Sequence, residues 1–280
     1  MLENKENEKN MKIKEPEGEK VECLARFEGK SSLVVIKDFD CAFFKNHSNP
    51  PLFIIGFTGV GMVGTIVTTE LIEQLKMKQI GYVLSEDLPP ITIFYNGILK
   101  HPFRIYYSDE HNIIVAICEV PFNQGSYIDL SRTLMDWALH YKISDVICLQ
   151  GMADQSYTPN LDLPVYAAAE KEILDKIVAK GVLIPPQGLI IGAEAAMLNE
   201  TLNNELNGCV FLTPANPKFP SPEGAAIILE KISEIYDFPI KLDNLKEQSR
   251  EIKEKLQALL QHTNEVHSQG ALKPFRNIYT

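Results

Sequence analysis

The sequence is poor in the residue pairs of a metal site. Its five cysteines (Cys23, Cys41, Cys118, Cys148 and Cys209) are odd in number and never form C-x-x-C, and its six histidines never form H-x-x-x-H. Cys118 and Cys148 lie inside apolar runs, where cysteine behaves as a small hydrophobe. No metal site and no thiol nucleophile is therefore expected, and a reducing, cytoplasmic setting is the default. Basic charge is also scarce. A net charge of -10 excludes the electrostatic footprint that nucleic-acid binding requires. Long apolar runs are absent: nothing approaches the roughly 20 residues of a membrane span, and Met1 to Lys20 contains no signal-peptide core. A lysine-bearing phosphate loop, a nucleophile elbow and a paired acid and base on one turn are all missing. Catalysis has no obvious seat, and neither catalytic residue nor cofactor is expected.

What is present is an ordinary globular composition, 45% hydrophobic and 23% charged over 280 residues, enough for one large domain with appendages. The chain is organised around Leu52 to Leu75. Leu52-Phe53-Ile54-Ile55-Gly56-Phe57 is a continuous apolar run of the kind a buried parallel strand shows. A glycine turn follows, and then a helical pattern carrying Ile66, Leu71, Ile72 and Leu75. The turn spells Gly59-x-Gly61-x-x-Gly64, the letters of a dinucleotide fingerprint. The same glycines have a simpler use, because they permit positive φ and close packing of a helix on its parent strand. They are taken here as a structural glycine loop.

Further strands are expected at Leu33 to Ile36, Gly81 to Leu84, Ile113 to Cys118, Asp145 to Leu149 and Cys209 to Leu212. Asn96-Gly97 predicts a hairpin between Ile91–Tyr95 and a return strand running from Ile98 to Tyr107, with Pro102 at an edge or bulge. Helices are expected at Tyr127 to Tyr141, where Trp137 packs on the sheet, over much of Leu163 to Lys180, and near Ala193 to Glu205. Ser221-Pro222-Glu223 reads as a helix start, with a capping hydroxyl, proline at the first position and an acid in the first turn. Alternating strands and helices predict a three-layer αβα domain with a mainly parallel sheet. Asp243 to His262 carries a narrow apolar stripe (Leu245, Ile252, Leu256, Leu259, Leu260) on an otherwise polar helix.

Several of these pieces, taken in order, resemble the proteasome assembly chaperone family. They are Phe57-Thr58-Gly59-Val60-Gly61-Met62-Val63-Gly64, the Asn96-Gly97 hairpin, Asp136-Trp137-Ala138, the glycine after the Asp145 strand, Gly188-Leu189-Ile190-Ile191-Gly192, and the Ala225-Ala226 helix leading to Ile240-Lys241-Leu242-Asp243. The likeness covers about Leu33 to Leu260. It departs at Ser221-Pro222-Glu223, where that family would have an aspartate. The ending Ile278-Tyr279-Thr280 is similar to the hydrophobic-Tyr-any tails of proteasome activators. The resemblance implies an archaeal homologue with a nucleoside-phosphorylase-like fold. It also implies a homo-oligomer, tetramer or pentamer, docking on the α-subunits of the proteasome core particle through Ile278, Tyr279 and Thr280, with unfolded proteins as further partners.

The organisation that follows is a charged amino end at 1–20, an α/β domain at 21–242, an amphipathic helix at 243–264, and a flexible linker with docking tail at 265–280. Two alternatives stand beside it. One is a small-molecule enzyme of the nucleoside or phosphate type, using the Gly59–Gly64 cleft with Glu119, Asp129, Arg132 or Asp154 near the strand ends. The other is a nicotinamide-dependent oxidoreductase resting on the same three glycines.

Overall fold

The structure is a computed structural model. It describes residues 26–28, 31–35, 47–121, 123–143, 145–158, 162–245 and 247. At its centre, β3 (Leu52–Phe57) is buried along its whole length and lies between β8 (Ile113–Cys118) and β9 (Asp145–Ala153), parallel to both. Beyond β9, β11 (Asn207–Ala215) continues the parallel part, and β10 (Tyr166–Ala169) closes that edge antiparallel to β11. On the other side β7 (Phe103–Ser108), β4 (Lys78–Ser85), β2 (Ser31–Val35) and β1 (Arg26–Glu28) follow one another as antiparallel neighbours. The nine-stranded order is β1-β2-β4-β7-β8-β3-β9-β11-β10. Parallel strands occupy the centre because only there do helices cover both faces, so that every side chain can be apolar.

Two apolar clusters sandwich the sheet. On one face α2 (Tyr127–His140) and α4 (Ala193–Asn203) bury Leu134, Trp137 and Met197 against Phe53, Ile55, Ile114 and Val146. Trp137 meets Phe53 edge-on with ring centroids 5.6 Å apart, the packing role expected of it. On the other face α1 (Val63–Gln74), α3 (Lys171–Val178) and α5 (Pro222–Tyr236) cover Ile54, Val115, Ile147 and Phe211. This is the three-layer α/β architecture expected from the alternating pattern. Cys118, Cys148 and Cys209 are buried free thiols within it.

Three local expectations are corrected. Tyr166–Ala169, inside the stretch expected to be helical, is strand β10. Its alanines favour helix in isolation, but a ladder with Cys209–Leu212 and a bridge to Leu183 override that preference. The return strand of the hairpin does not run through to Tyr107. β5 (Ile93–Tyr95) and β6 (Ile98–Lys100) form a separate two-stranded ribbon, and β7 starts afresh at Phe103 in the main sheet, after Pro102 has removed a backbone donor. The turn itself is as expected, with positive φ of 50° at Asn96 and 79° at Gly97. Finally, the Ser221 hydroxyl does not cap α5. It accepts a hydrogen bond from the Asn216 amide at 3.0 Å, although Pro222 does open the helix.

The charged amino end at 1–20 and the linker and tail at 265–280 lie outside the described residues. So does the amphipathic helix beyond its first turn, where residues 243–245 are helical. No helix among the described residues is long and apolar enough to cross a membrane.

Candidate functional site

The carboxyl ends of β3, β9 and β11, where a parallel α/β sheet usually presents its ligand site, are filled by the chain itself. After β3 the backbone passes Thr58 and Gly59 and makes one 3₁₀ turn at Val60–Met62 before α1 begins. Gly61 has φ of 64°, and a Cβ there would stand 2.7 Å from the Ala215 Cβ and 2.8 Å from the Ser221 hydroxyl. A Cβ on Gly64 would reach 2.9 Å from the Leu149 carbonyl, and one on Gly151 would strike the Val60 carbonyl at 2.2 Å. The Ser221 amide donates to the Gly61 carbonyl at 2.8 Å, which ties the loop to the start of α5. Close packing, with a positive φ at Gly61, thus leaves no room for a side chain at Gly61 or Gly64.

Facing the loop is Glu194, in the first turn of α4 and 4% exposed. Its carboxyl lies 3.8 Å from where a Gly59 Cβ would be, and Gln150 Nε2 donates to it at 3.3 Å and to the Ile191 carbonyl at 2.9 Å. Burial raises its pKa to about 7. A carboxyl in this position opposes a pyrophosphate rather than attracting one. A second buried acid, Glu223 at the start of α5, accepts the Tyr157 hydroxyl, whose pKa is raised by burial and by that contact. Neither acid stands out in the sequence, because a glutamate in the first turn of a helix is ordinary.

The four polar residues expected near strand ends are engaged separately. Glu119 holds the buried Arg104 guanidinium and accepts the Tyr95 hydroxyl, pinning the β5–β6 ribbon to the sheet. Burial, then the Glu119 contact, pushes the Tyr95 pKa up to about 12. Arg132 pairs with Glu200 at 3.2 Å and joins α2 to α4. Asp154 accepts the Ser156 amide at 2.8 Å and hydroxyl at 2.7 Å, which lower its pKa. The Asp129 carbonyl accepts the Thr133 hydroxyl at 3.0 Å within α2. Among the described residues no group of His, Cys, Asp and Glu is placed to hold a metal. Ile278, Tyr279 and Thr280 lie outside them.

The same end of the molecule exposes apolar side chains. Phe94 and Leu99 are cross-strand partners on the β5–β6 ribbon and are 68% and 72% exposed. Leu189 and Ile191, just before α4, are 92% and 74% exposed. Their sequence signal is a ribbon apolar on both faces; such a ribbon has no second layer to cover one of them. At the opposite end, a groove of about 1320 Å³ lies between the end of α1, the β7–β8 turn and residues 239–244. Its lining includes Glu73, Lys76, His111 and Asp243, and Gln74 exchanges two 2.8 Å hydrogen bonds with the Lys241 backbone.

Comparison with known proteins places these features in context. The sequence model of the PAC2 family matches residues 53–260. A Thermoplasma acidophilum protein of unknown function has a similar crystal structure, with 31% identity and TM-score 0.67, over 81% of this chain and 93% of that one. Pyrococcus furiosus PbaA, described as an archaeal homolog of proteasome-assembly chaperone, is 25% identical with TM-score 0.71, over 80% of this chain and 92% of its own. Pyrococcus furiosus PbaB, described as an archaeal proteasome activator, shares the fold at 19% identity and TM-score 0.70, over 82% of this chain and 98% of its own.

Proposed function

The chain belongs to the PAC2 family, and from that premise we propose that it is a cytoplasmic, homo-oligomeric, ATP-independent proteasome assembly chaperone or activator. The single observation that carries this reading is the family match over 53–260 together with the likeness to PbaA. Within it, residues 21–242 form the chaperone domain and 243–264 an amphipathic helix. Residues 265–280 are a linker ending in the docking tail. Ile278 buries beside a pocket between neighbouring α-subunits of the core particle, Tyr279 fills and hydrogen-bonds the pocket edge, and the Thr280 carboxylate pairs with a lysine. One such tail buries little surface and must be ordered on binding, so it docks weakly. Several tails on one oligomer gain avidity of about 10²–10⁴. The packed glycine loop, faced by Glu194, supports a structural rather than a phosphate-binding use of Gly59, Gly61 and Gly64.

The test is binding of the full chain, and of a version lacking Ile278 to Thr280, to purified proteasome core particles, with peptide hydrolysis read in the same samples. Binding and stimulated hydrolysis that disappear with the truncation are expected. Equal behaviour of the two versions, with the oligomer intact, would overturn the tail's role.

A further inference from the structure

Exposed apolar side chains are unevenly distributed over this molecule. The β5–β6 ribbon is held at the end of β8 by Tyr95 and Glu119, and Ile191 is held by Gln150 in β9, next to the Leu149 that lies level with Gly56 of β3 and Ile117 of β8. Only β3 separates β8 from β9, so these anchor points lie about 10 Å apart at the usual strand spacing. Ile128, in the first turn of α2 and itself exposed, starts from the same end of the sheet. Phe94, Leu99, Ile128, Leu189 and Ile191 therefore share one end of the domain. Their exposures, with an aromatic side chain at roughly 150–250 Å² and an aliphatic one somewhat less, amount to about 600 Å² of accessible apolar surface. The largest apolar patch on a typical monomer is roughly 300–600 Å². A partner in a standard interface buries about 800 Å².

The patch is also stiff. Asn96 and Gly97 set the ribbon's turn by positive φ, Phe94 is registered opposite Leu99, and the buried Arg104–Glu119 pair fixes the ribbon's base. A surface that accepts many unfolded segments relies on adaptable, methionine-rich packing. A stiff patch of interface size suits one partner of fixed shape.

We propose that this end of the domain, formed by the β5–β6 ribbon and the Leu189–Ile191 segment, is the surface through which copies of this chain associate. The inference deepens the homo-oligomer in the proposed function and names its interface. It also explains why the ribbon is apolar on both faces: the Ile93 and Tyr95 side packs toward its own domain, and the Phe94 and Leu99 side packs on the neighbouring copy. The opposite end of the sheet then stays in water, where the polar groove leads to residue 247 and the carboxyl-terminal segment begins.

The experiment measures the mass of the full chain in solution by light scattering across a dilution series. Two variants are compared with it, Phe94→Asp/Leu99→Lys and Leu189→Asp/Ile191→Lys. The substituted side chains are mostly exposed, so each variant should keep the near-ultraviolet signal of Trp137 and its unfolding temperature. The wild-type chain is expected as an oligomer and both variants as monomers of 31.5 kDa, with association weakened at least a hundredfold. A monomeric wild type, or variants that remain oligomeric, would overturn the proposal. Variants of unchanged mass that lose the ability to suppress aggregation of a denatured test protein would also overturn it, in favour of an unfolded client. The truncation lacking Ile278 to Thr280 serves as the control. If it stays oligomeric while the patch variants fall apart, the interface stands even should the wild-type oligomer fail to bind core particles, an outcome that would sink only the docking reading.

Discussion

The two ends of the central sheet are built on opposite principles. At the carboxyl end of the parallel strands the backbone is closely packed: the Val60 carbonyl presses on Gly151, and the Ala215 and Ser221 side chains press on Gly61. Two acids are buried there, and apolar side chains point outward. At the amino end, the groove between α1 and residues 239–244 is lined by solvated charges joined through side-chain amides such as Gln74. A ligand-binding α/β domain would leave its carboxyl end open for the ligand. Here the chain fills that space with its own glycine loop and offers an apolar outer surface instead. The contrast teaches that a glycine-rich strand–helix turn can serve close packing without a phosphate ligand, and that what fills the space beside it distinguishes the two uses.

Substitutions can break this contrast. The largest effect is expected for Gly151→Val, whose side chain must displace backbone at Val60; a loss of at least about 4 kcal/mol is expected from urea unfolding. Gly188, with nothing within 4 Å of its would-be Cβ, should accept alanine with a change below about 0.5 kcal/mol. Glu119→Ala comes next. It leaves the Arg104 guanidinium buried without its carboxylate, at a cost of about 3 kcal/mol. It should also release the ribbon, seen as faster proteolysis between Pro90 and Pro102.

Glu194 sharpens the contrast through pH. Its folded pKa is raised to about 7 from an ordinary value of 4.5, so between those values the folded state holds more protons than the unfolded one. Stability must then fall as pH rises through that window, by up to about 3 kcal/mol, and level off above it. Glu194→Gln should remove this slope and be the more stable form at pH 8, as urea midpoints across pH 4 to 8 would reveal. A variant with the wild-type slope would mean that the carboxyl is not buried as described. The smallest effect belongs to the opposite end: Glu73→Ala, in the groove, should shift stability by no more than about 0.5 kcal/mol.

Much of this was legible in the chain. The run Leu52 to Phe57 needed no partner to declare itself a doubly buried strand. Asn96-Gly97 located the turn, and Trp137 the helix that covers Phe53. What escaped was decided by distant neighbours. Tyr166–Ala169 is strand because β11 offers an unpaired edge, and the Ser221 hydroxyl is taken by the Asn216 amide while its own amide bonds the distant Gly61 carbonyl. Glu194 looked like any first-turn acid until Gln150 and the glycine loop closed over it. The exposed patch was illegible for a similar reason, since sequence marks a residue as apolar without telling whether its own chain will cover it.

The buried thiols have a practical consequence. Cys118 has its pKa pushed up to about 12, chiefly by burial, and Cys148 and Cys209 are raised by burial as well. In the closed sheet they are protonated and out of reach of an alkylating reagent, which attacks the thiolate. Each sits on a different strand of the core, β8, β9 and β11. Peptide-resolved alkylation would therefore time the opening of each strand separately, with three stopwatches already in the wild-type chain and no label to introduce.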